Sequence, residues 1–306
     1  VVKKTESKKP ILPTISPWQA WVLAIRPRTL PAAVAPVLVG TAAAIADRQF
    51  VFIVAVAAGM VALLLQIGVN LANDYFDYKH GFDTADRLGP LRVTQSGLLQ
   101  PASVKKAMII VLCVAGAVGL LLAVIAGWPV LAIGLTCILA ALAYSGGPFP
   151  LASHGLGDLF VFIFFGLVAV CGTYFVQTGN LTVQVVQYSI PIGLLITAIL
   201  VINNLRDIPT DLKTGKNTLA VKIGQQATRM EYLALIMGAY ILPALWFLSR
   251  KFPIWILLPL LSLPLAAVLV NKVRDADGTA LNPVLGGTAS LSLAYSLLLA
   301  VGIVLS

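Results

Sequence analysis

Two sets of amide and carboxylate side chains recur at the ends of apolar runs: Asn70, Asn73, Asp74 and Asp77 in NLANDYFD, and Asn203, Asp207 and Asp211 in NNLRDIPTD. At about 100° per residue along a helix, Asn70, Asp74 and Asp77 share one face. Asn203, Asp207 and Asp211 share another if the helix persists past Leu205, although Pro209 leaves open a new helical turn with Asp207 near its start. Carboxylates about 6 Å apart repel by roughly 3 kcal/mol at an effective dielectric near 20, so these groups need cations. Carboxylate and amide oxygens with no His or Cys among them are hard ligands suited to Mg2+, which favours one or two carboxylates plus substrate phosphates. Arg87, Arg92, Arg206, Lys213 and Lys216 lie in the same polar connections. They could hold phosphate oxygens, Arg by bidentate pairing and Lys as a point charge. Acid, amide and base together describe a metal-bridged diphosphate site. The competing reading is a solvated ion-pair network at a membrane edge; two clusters at matched helix ends favour the site.

The elements that must position these residues are membrane spans. The chain has 306 residues, of which 59% are hydrophobic and 11% charged, against about a quarter charged in soluble proteins. Apolar windows near Leu30–Ala46, Phe50–Ala72, Ser103–Ala126, Trp128–Tyr144, Leu156–Val176, Tyr188–Leu205, Tyr232–Leu248, Ile254–Val270 and Pro283–Leu305 predict nine transmembrane helices. With a cytoplasmic N-terminus, eighteen of the twenty-one Lys and Arg residues fall on the cytoplasmic side, which predicts an N-inside, C-outside topology with the acidic clusters on the inner face. The net charge of +9 is then largely topogenic, with some attraction to anionic lipid or substrate. Nucleic acid is excluded as a partner, since the basic residues are dispersed among loops. Residues 1–17 read as a mobile tail before a single domain over 18–306, and no signal-peptide core follows them. Cys113, Cys137 and Cys171 sit inside apolar windows without CxxC spacing and read as buried packing residues.

The clusters lie 130 residues apart, from Asn73 to Asn203, with four helices between them. That suggests two related halves facing one cavity, with the ninth helix an appendage. Two long polar connections, 78–100 and 206–226, read as functional loops over the site. Gly81 suits a helix C-terminus and Pro101 the first turn of the next helix, while Pro36, Pro243, Pro259 and Pro264 predict kinks.

The stretches LANDYFDYKHGFDTADRLGPLRVTQSG at 71–97 and NNLRDIPTDLKTGKNTLAVKIG at 203–224, supported by RPRTLPAA at 26–33 and GLGD at 155–158, carry a resemblance. The chain resembles the UbiA superfamily of intramembrane prenyltransferases, and within it the type that prenylates 1,4-dihydroxy-2-naphthoate. The resemblance implies an all-α fold of nine helices around a central cavity, with Mg2+ and a prenyl diphosphate between the two acidic motifs. Asn73, Asp74 and Asp77 match the first motif, Asp207 and Asp211 the second, and Lys216 a phosphate-binding position. The family commonly has another Asp four residues after the first motif; here that position is Gly81, and Asp83 or Asp86 stands in the longer spacing. The implied reaction attaches the allylic group to the naphthoate ring with loss of carbon dioxide. Tyr75, Phe76, Tyr144 and Phe160 are aromatic candidates to shield the allylic cation, against the ordinary role of packing. Arg26 could bind the carboxylate of the aromatic acid. Gln66, Asn70, Tyr144, Asp158 and Asn203 are expected around the cavity, although an interhelical hydrogen bond explains Gln66 equally well and a helix-dipole contact explains Asp158. Acceptors such as 4-hydroxybenzoate or homogentisate, and a secondary transporter, are the alternatives. A transporter site belongs near the bilayer midplane, whereas both clusters sit at one edge.

Overall fold

Helix boundaries follow from local chemistry. Ser16 and Gln19 form a reciprocal capping box ahead of Pro17, which starts α1 (Pro17–Ile25). A bend of 48° separates α1 and the short turn after it from α2 (Pro31–Ala46). α3 (Phe52–His80) ends at Gly81, whose φ of 75° only glycine adopts without strain. Pro101 opens α4 (Pro101–Ala126), followed by α5 (Trp128–Ser145) and α6 (Gly157–Thr178). Thr182 caps α7 (Val183–Thr214) and Thr218 caps α8 (Leu219–Leu248) by accepting backbone N–H bonds from Val185 and Val221. α9 (Ile254–Asp275) begins as a 3-10 segment containing Pro259 and becomes α-helical at Leu263, next to Pro264. α10 (Leu281–Val304) closes the chain.

The computed structural model describes residues 15–84 and 86–306. Among them all regular structure is helical. Eight helices are long and apolar enough to span a membrane, and the bent α1–α2 pair makes a ninth. Most of the expected mobile tail lies outside the described residues, but its last residue, Pro17, belongs to α1.

Two expectations change. Segment 206–226 is mostly helix: α7 runs through Pro209 to Thr214, a short turn follows, and α8 begins at Leu219. The helix therefore persists past Leu205, and Asp207 and Asp211 stay on one face. α8 bends early, at Gly224, with φ 82°. The last helix is no appendage. Leu291, Tyr295 and Leu299 in α10 have 0% exposure and join the main core with side chains of α2, α7, α8 and α9. A Cβ at Gly302 would lie 2.3 Å from the Trp255 carbonyl oxygen, so the missing side chain lets α10 press against the start of α9.

α6 is irregular where it meets α7. Phe162–Val168 is a π-helical turn, a feature that re-aims side chains and occurs often at functional sites. A Cβ on Gly166 would sit 2.5 Å from the Gly193 Cα, so these backbones nearly touch. Large apolar side chains on α4 and α5 such as Leu121, Val124 and Leu135 face outward, which suits hydrocarbon surroundings.

Candidate active site

A cavity of about 600 Å³ runs into the bundle, polar at one end and apolar along the rest. Its polar end collects both acidic motifs: Asn73 and Asp77 from α3 and Asn203, Asp207 and Asp211 from α7. Arg87, Arg92 and Lys216 join them from the connections. Residues far apart in sequence thus meet because α3 and α7 bring their ends to the same face of the bundle.

The carboxylates are neutralised both within and across the two motifs. Lys216 Nζ donates to Asp77 Oδ2 at 3.1 Å, and Arg92 Nη2 donates to the same oxygen at 3.3 Å. Arg87 reaches Asp83 at 2.5 Å and lies 3.8 Å from Asp207 Oδ2. Burial disfavours charge on Lys216, but Asp77 and Asp211 more than offset it and hold the ammonium above its ordinary pKa. For Asp83 burial wins over Arg87, and with Asp77 nearby its carboxyl is pushed up to about 6.

Other expected residues stand just outside the cavity. Asp74 is buried beneath the α3–α4 connection, where it accepts backbone N–H bonds from Val93 at 3.3 Å and Thr94 at 3.0 Å. Asp83 sits behind Arg87 and Arg92. Lys213 is exposed and pairs with exposed Asp86 at 3.6 Å, away from the cavity wall. Asp158 is buried at the start of α6, with one carboxylate oxygen lacking a hydrogen-bond partner, and the neighbouring Tyr144 lines the cavity. Tyr75 and Phe76 pack edge to face beside α4 and are not on the cavity wall, whereas Phe160 is on it, stacked on Phe164 with centroids 5.9 Å apart.

Arg206 has a different place from a free phosphate ligand. It is 1% exposed; its Nε and Nη2 donate to both oxygens of Asp207 at 2.8 and 2.7 Å, and Nη2 also donates to Asn203. Its Nη1 donates to Asn282 Oδ1 of α10 at 2.9 Å, and the Asn282 amide donates on to the Leu88 carbonyl at 3.2 Å. Asn282 was missed in the sequence. The available signal was an isolated amide at the start of an apolar span, in ALNP.

A second polar group lines the cavity beside α1. The Asn70 amide donates to the Ile25 carbonyl at 2.8 Å and to Thr29 Oγ1 at 3.0 Å, and Gln66 donates to the same hydroxyl at 3.1 Å. Arg26 Nη2 and Gln66 Oε1 are buried without hydrogen-bond partners. Arg26 itself has φ 56°, an uncommon conformation for a side-chain-bearing residue.

Among the described residues, no three His, Cys, Asp or Glu side chains form a ready-made metal cage. What the polar end offers is a set of separated oxygen donors, with Asn73 Oδ1 buried and unpartnered among them.

A membrane-type helical bundle around a cavity with a charged end and an apolar body defines an integral multi-pass membrane protein. A profile of the UbiA prenyltransferase family matches residues 33–283, and the chain belongs to that family. It is 40% identical over 299 residues to the 1,4-dihydroxy-2-naphthoate octaprenyltransferase of Escherichia coli (strain K12), covering 95% of this chain and 97% of that one. It is 41% identical over 281 residues to the Mycobacterium tuberculosis (strain ATCC 25618 / H37Rv) protein of the same name, covering 92% and 95%. The fold is similar to that of a UbiA homolog from Archaeoglobus fulgidus bound to GPP and Mg2+, with TM-score 0.64, 15% identity, and coverage of 94% and 100%.

Proposed function

We propose that the protein transfers a polyprenyl group from a prenyl diphosphate to 1,4-dihydroxy-2-naphthoate, releasing diphosphate and carbon dioxide. The observation that carries this reading is the 40–41% identity, over nearly the whole chain, to two proteins named for that acceptor. The cavity supports it, with a cationic and acidic mouth for a metal diphosphate above an apolar body for an isoprenoid tail.

Mg2+ fits the donors at the mouth. Asp77, Asp207, Asp211 and Asn73 supply only oxygen, and the unpartnered Asn73 Oδ1 is an acceptor left without a donor. Separated carboxylates suit an ion that keeps waters and completes its shell with substrate phosphates. Bound there, Mg2+ would act as a Lewis acid that neutralises charge on the leaving diphosphate. Lys216, Arg87 and Arg92 are placed to hold diphosphate oxygens. Asp74 and Asp83, the other members of the expected ligand set, act one layer behind by fixing the connection that carries Arg87 and Arg92. The allylic C–O bond breaks with its electron pair leaving on diphosphate. The electron-rich ring supplies the pair for the new C–C bond, and the carboxylate departs as carbon dioxide, returning its bonding pair to the ring. Phe160 and Phe164 offer π faces to the cation and exclude water. Arg26, with its free Nη2, is the proposed partner of the acceptor carboxylate, and Gln66 Oε1 of a ring hydroxyl. The positive-inside bias puts the mouth, with the N-terminus, on the cytoplasmic face.

Purified protein given Mg2+, octaprenyl diphosphate and 1,4-dihydroxy-2-naphthoate is expected to form the prenylated, decarboxylated product. A panel with 4-hydroxybenzoate and homogentisate tests the acceptor: turnover of either in preference to the naphthoate contradicts the assignment.

A further inference from the structure

A buried guanidinium must be paired, and Arg206, at 1% exposure, is paired by three side chains. Four of its N–H groups are used: Nε and one Nη2 hydrogen on Asp207, the other Nη2 hydrogen on Asn203, and Nη1 on Asn282. Swinging it aside would strand charge on both Arg206 and Asp207, so the group is a fixed plate at the charged end of the cavity.

The α3–α4 connection is built against this plate. A Cβ at Gly89 would lie 2.5 Å from Arg206 Nη2 and 2.8 Å from Cζ, although Gly89 has no positive φ that would call for glycine. The missing side chain therefore serves close approach, and Pro90 restricts the backbone that makes it. One residue earlier, the Leu88 carbonyl accepts the Asn282 amide at 3.2 Å. Two adjacent contacts thus pin the middle of a connection in which Arg87 precedes Gly89 by two residues and Arg92 follows it by three. Both arginines line the charged end of the cavity.

We infer that Gly89 and Asn282 are positioning residues for the diphosphate end: through Arg206 they hold Asp207 and the stretch carrying Arg87 and Arg92 in one mutual arrangement. The inference rests on the proposed prenyl transfer and adds residues that no acidic or basic motif contains. Gly89 is off the cavity wall, and both ends of the Asn282 amide are engaged by protein, so neither is a ligand of the reacting atoms. What they fix is registry. The separation of Arg87 from Asp207, 3.8 Å here, depends on how the connection sits on the plate. An anionic head held between cations and oxygen ligands needs that spacing set before it arrives, and such preorganisation is read in affinity. The acceptor, proposed to bind beside Arg26 and Gln66, does not depend on it.

The test is binding of geranyl diphosphate with Mg2+, without acceptor, to the full-length wild type, Gly89→Ala, Asn282→Ala and the double variant, with steady-state KM for each substrate alongside. Each single variant is expected to weaken binding at least about tenfold, or about 1.4 kcal/mol, and to raise KM for the prenyl diphosphate while leaving that for the naphthoate within about twofold. Because both residues act through one plate, the double variant should lose much less than the product of the single losses. Asn282→Asp keeps an acceptor for Arg206 and should recover part of what Asn282→Ala loses. The two Asn282 variants carry the test wherever Gly89→Ala does not fold. Unchanged diphosphate binding in folded variants, equal loss of both substrates, a fully multiplicative double variant, or no recovery in Asn282→Asp would each overturn the inference. Wild-type protein that binds no geranyl diphosphate with Mg2+ would instead overturn the enzymatic reading itself.

Discussion

Arg26 and Asp74 show how burial assigns roles to residues of unremarkable type. A guanidinium nitrogen buried without a partner beside a cavity is costly unless a ligand completes it. Arg26→Gln is therefore expected to raise KM for the naphthoate about tenfold to a hundredfold, as loss of a hydrogen bond from a charged group implies, with little change in KM for the prenyl diphosphate. Steady-state kinetics with each substrate varied in turn checks this, and a rise confined to the diphosphate would contradict it. Asp74 holds the Val93 and Thr94 amides, so its geometry matters as well as its charge. Asp74→Asn keeps an acceptor and should retain measurable turnover, whereas Asp74→Ala should not; equal loss in the two would place the charge of Asp74 in the metal shell. Asp77→Asn removes an oxygen charge at the cavity itself and should lower kcat at least about a hundredfold. The sequence made both acidic motifs legible because carboxylates are so rare in this chain and so expensive at a membrane edge. It could not distinguish Asp77, which faces the cavity, from Asp74, which faces backbone, since the two lie only about 60° apart on one helix face and the Val93 and Thr94 amides that cover Asp74 come from a connection folded back over it. The role of Arg206 was also hidden, because its partner Asn282 comes from another helix 76 residues away.

At the scale of elements, the nine apolar runs were readable from hydropathy, and Gly81 and Pro101 marked the ends of α3 and the start of α4 as expected. Two misjudgements have one cause. Polar composition suggested a loop at 206–226, and a pairing of two related halves left the ninth helix as an appendage, but tertiary packing overrides both signals. α7 stays helical through Pro209 because its polar face is occupied by the site, and α10 is buried because small residues allow close approach. The Gly166–Gly193 contact locks α6 to α7 beside the π-helical turn. Gly166→Leu is expected to destabilise the protein by about 1–3 kcal/mol or more, read as a lower melting temperature in detergent. Asn282 ties α10 to the α3–α4 connection through Arg206 and Leu88. In Asn282→Ala, amide hydrogen exchange around residues 86–92 should quicken relative to wild type. Unchanged protection would show that this connection is held without α10.

The whole molecule divides its labour along one axis. One end concentrates oxygen donors and cations drawn from α3, α7 and their connections, and the remainder of the cavity is apolar. That polarity matches the proposed amphiphilic diphosphate, and five of the chain's twelve carboxylates, Asp74, Asp77, Asp83, Asp207 and Asp211, gather at or just behind that end. The duplication suggested by the matched motifs describes where α3 and α7 end, but the main core joins α2 to α6 through α10 and so crosses the expected halves. The central claim is metal-dependent transfer of a prenyl group at this mouth. Its most direct measurement is product formation from octaprenyl diphosphate and 1,4-dihydroxy-2-naphthoate by purified protein, with Mg2+ and after chelation by EDTA. The predicted result is prenylated, decarboxylated product with Mg2+, none after chelation, and recovery when Mg2+ is restored; product formation that survives chelation would contradict the account.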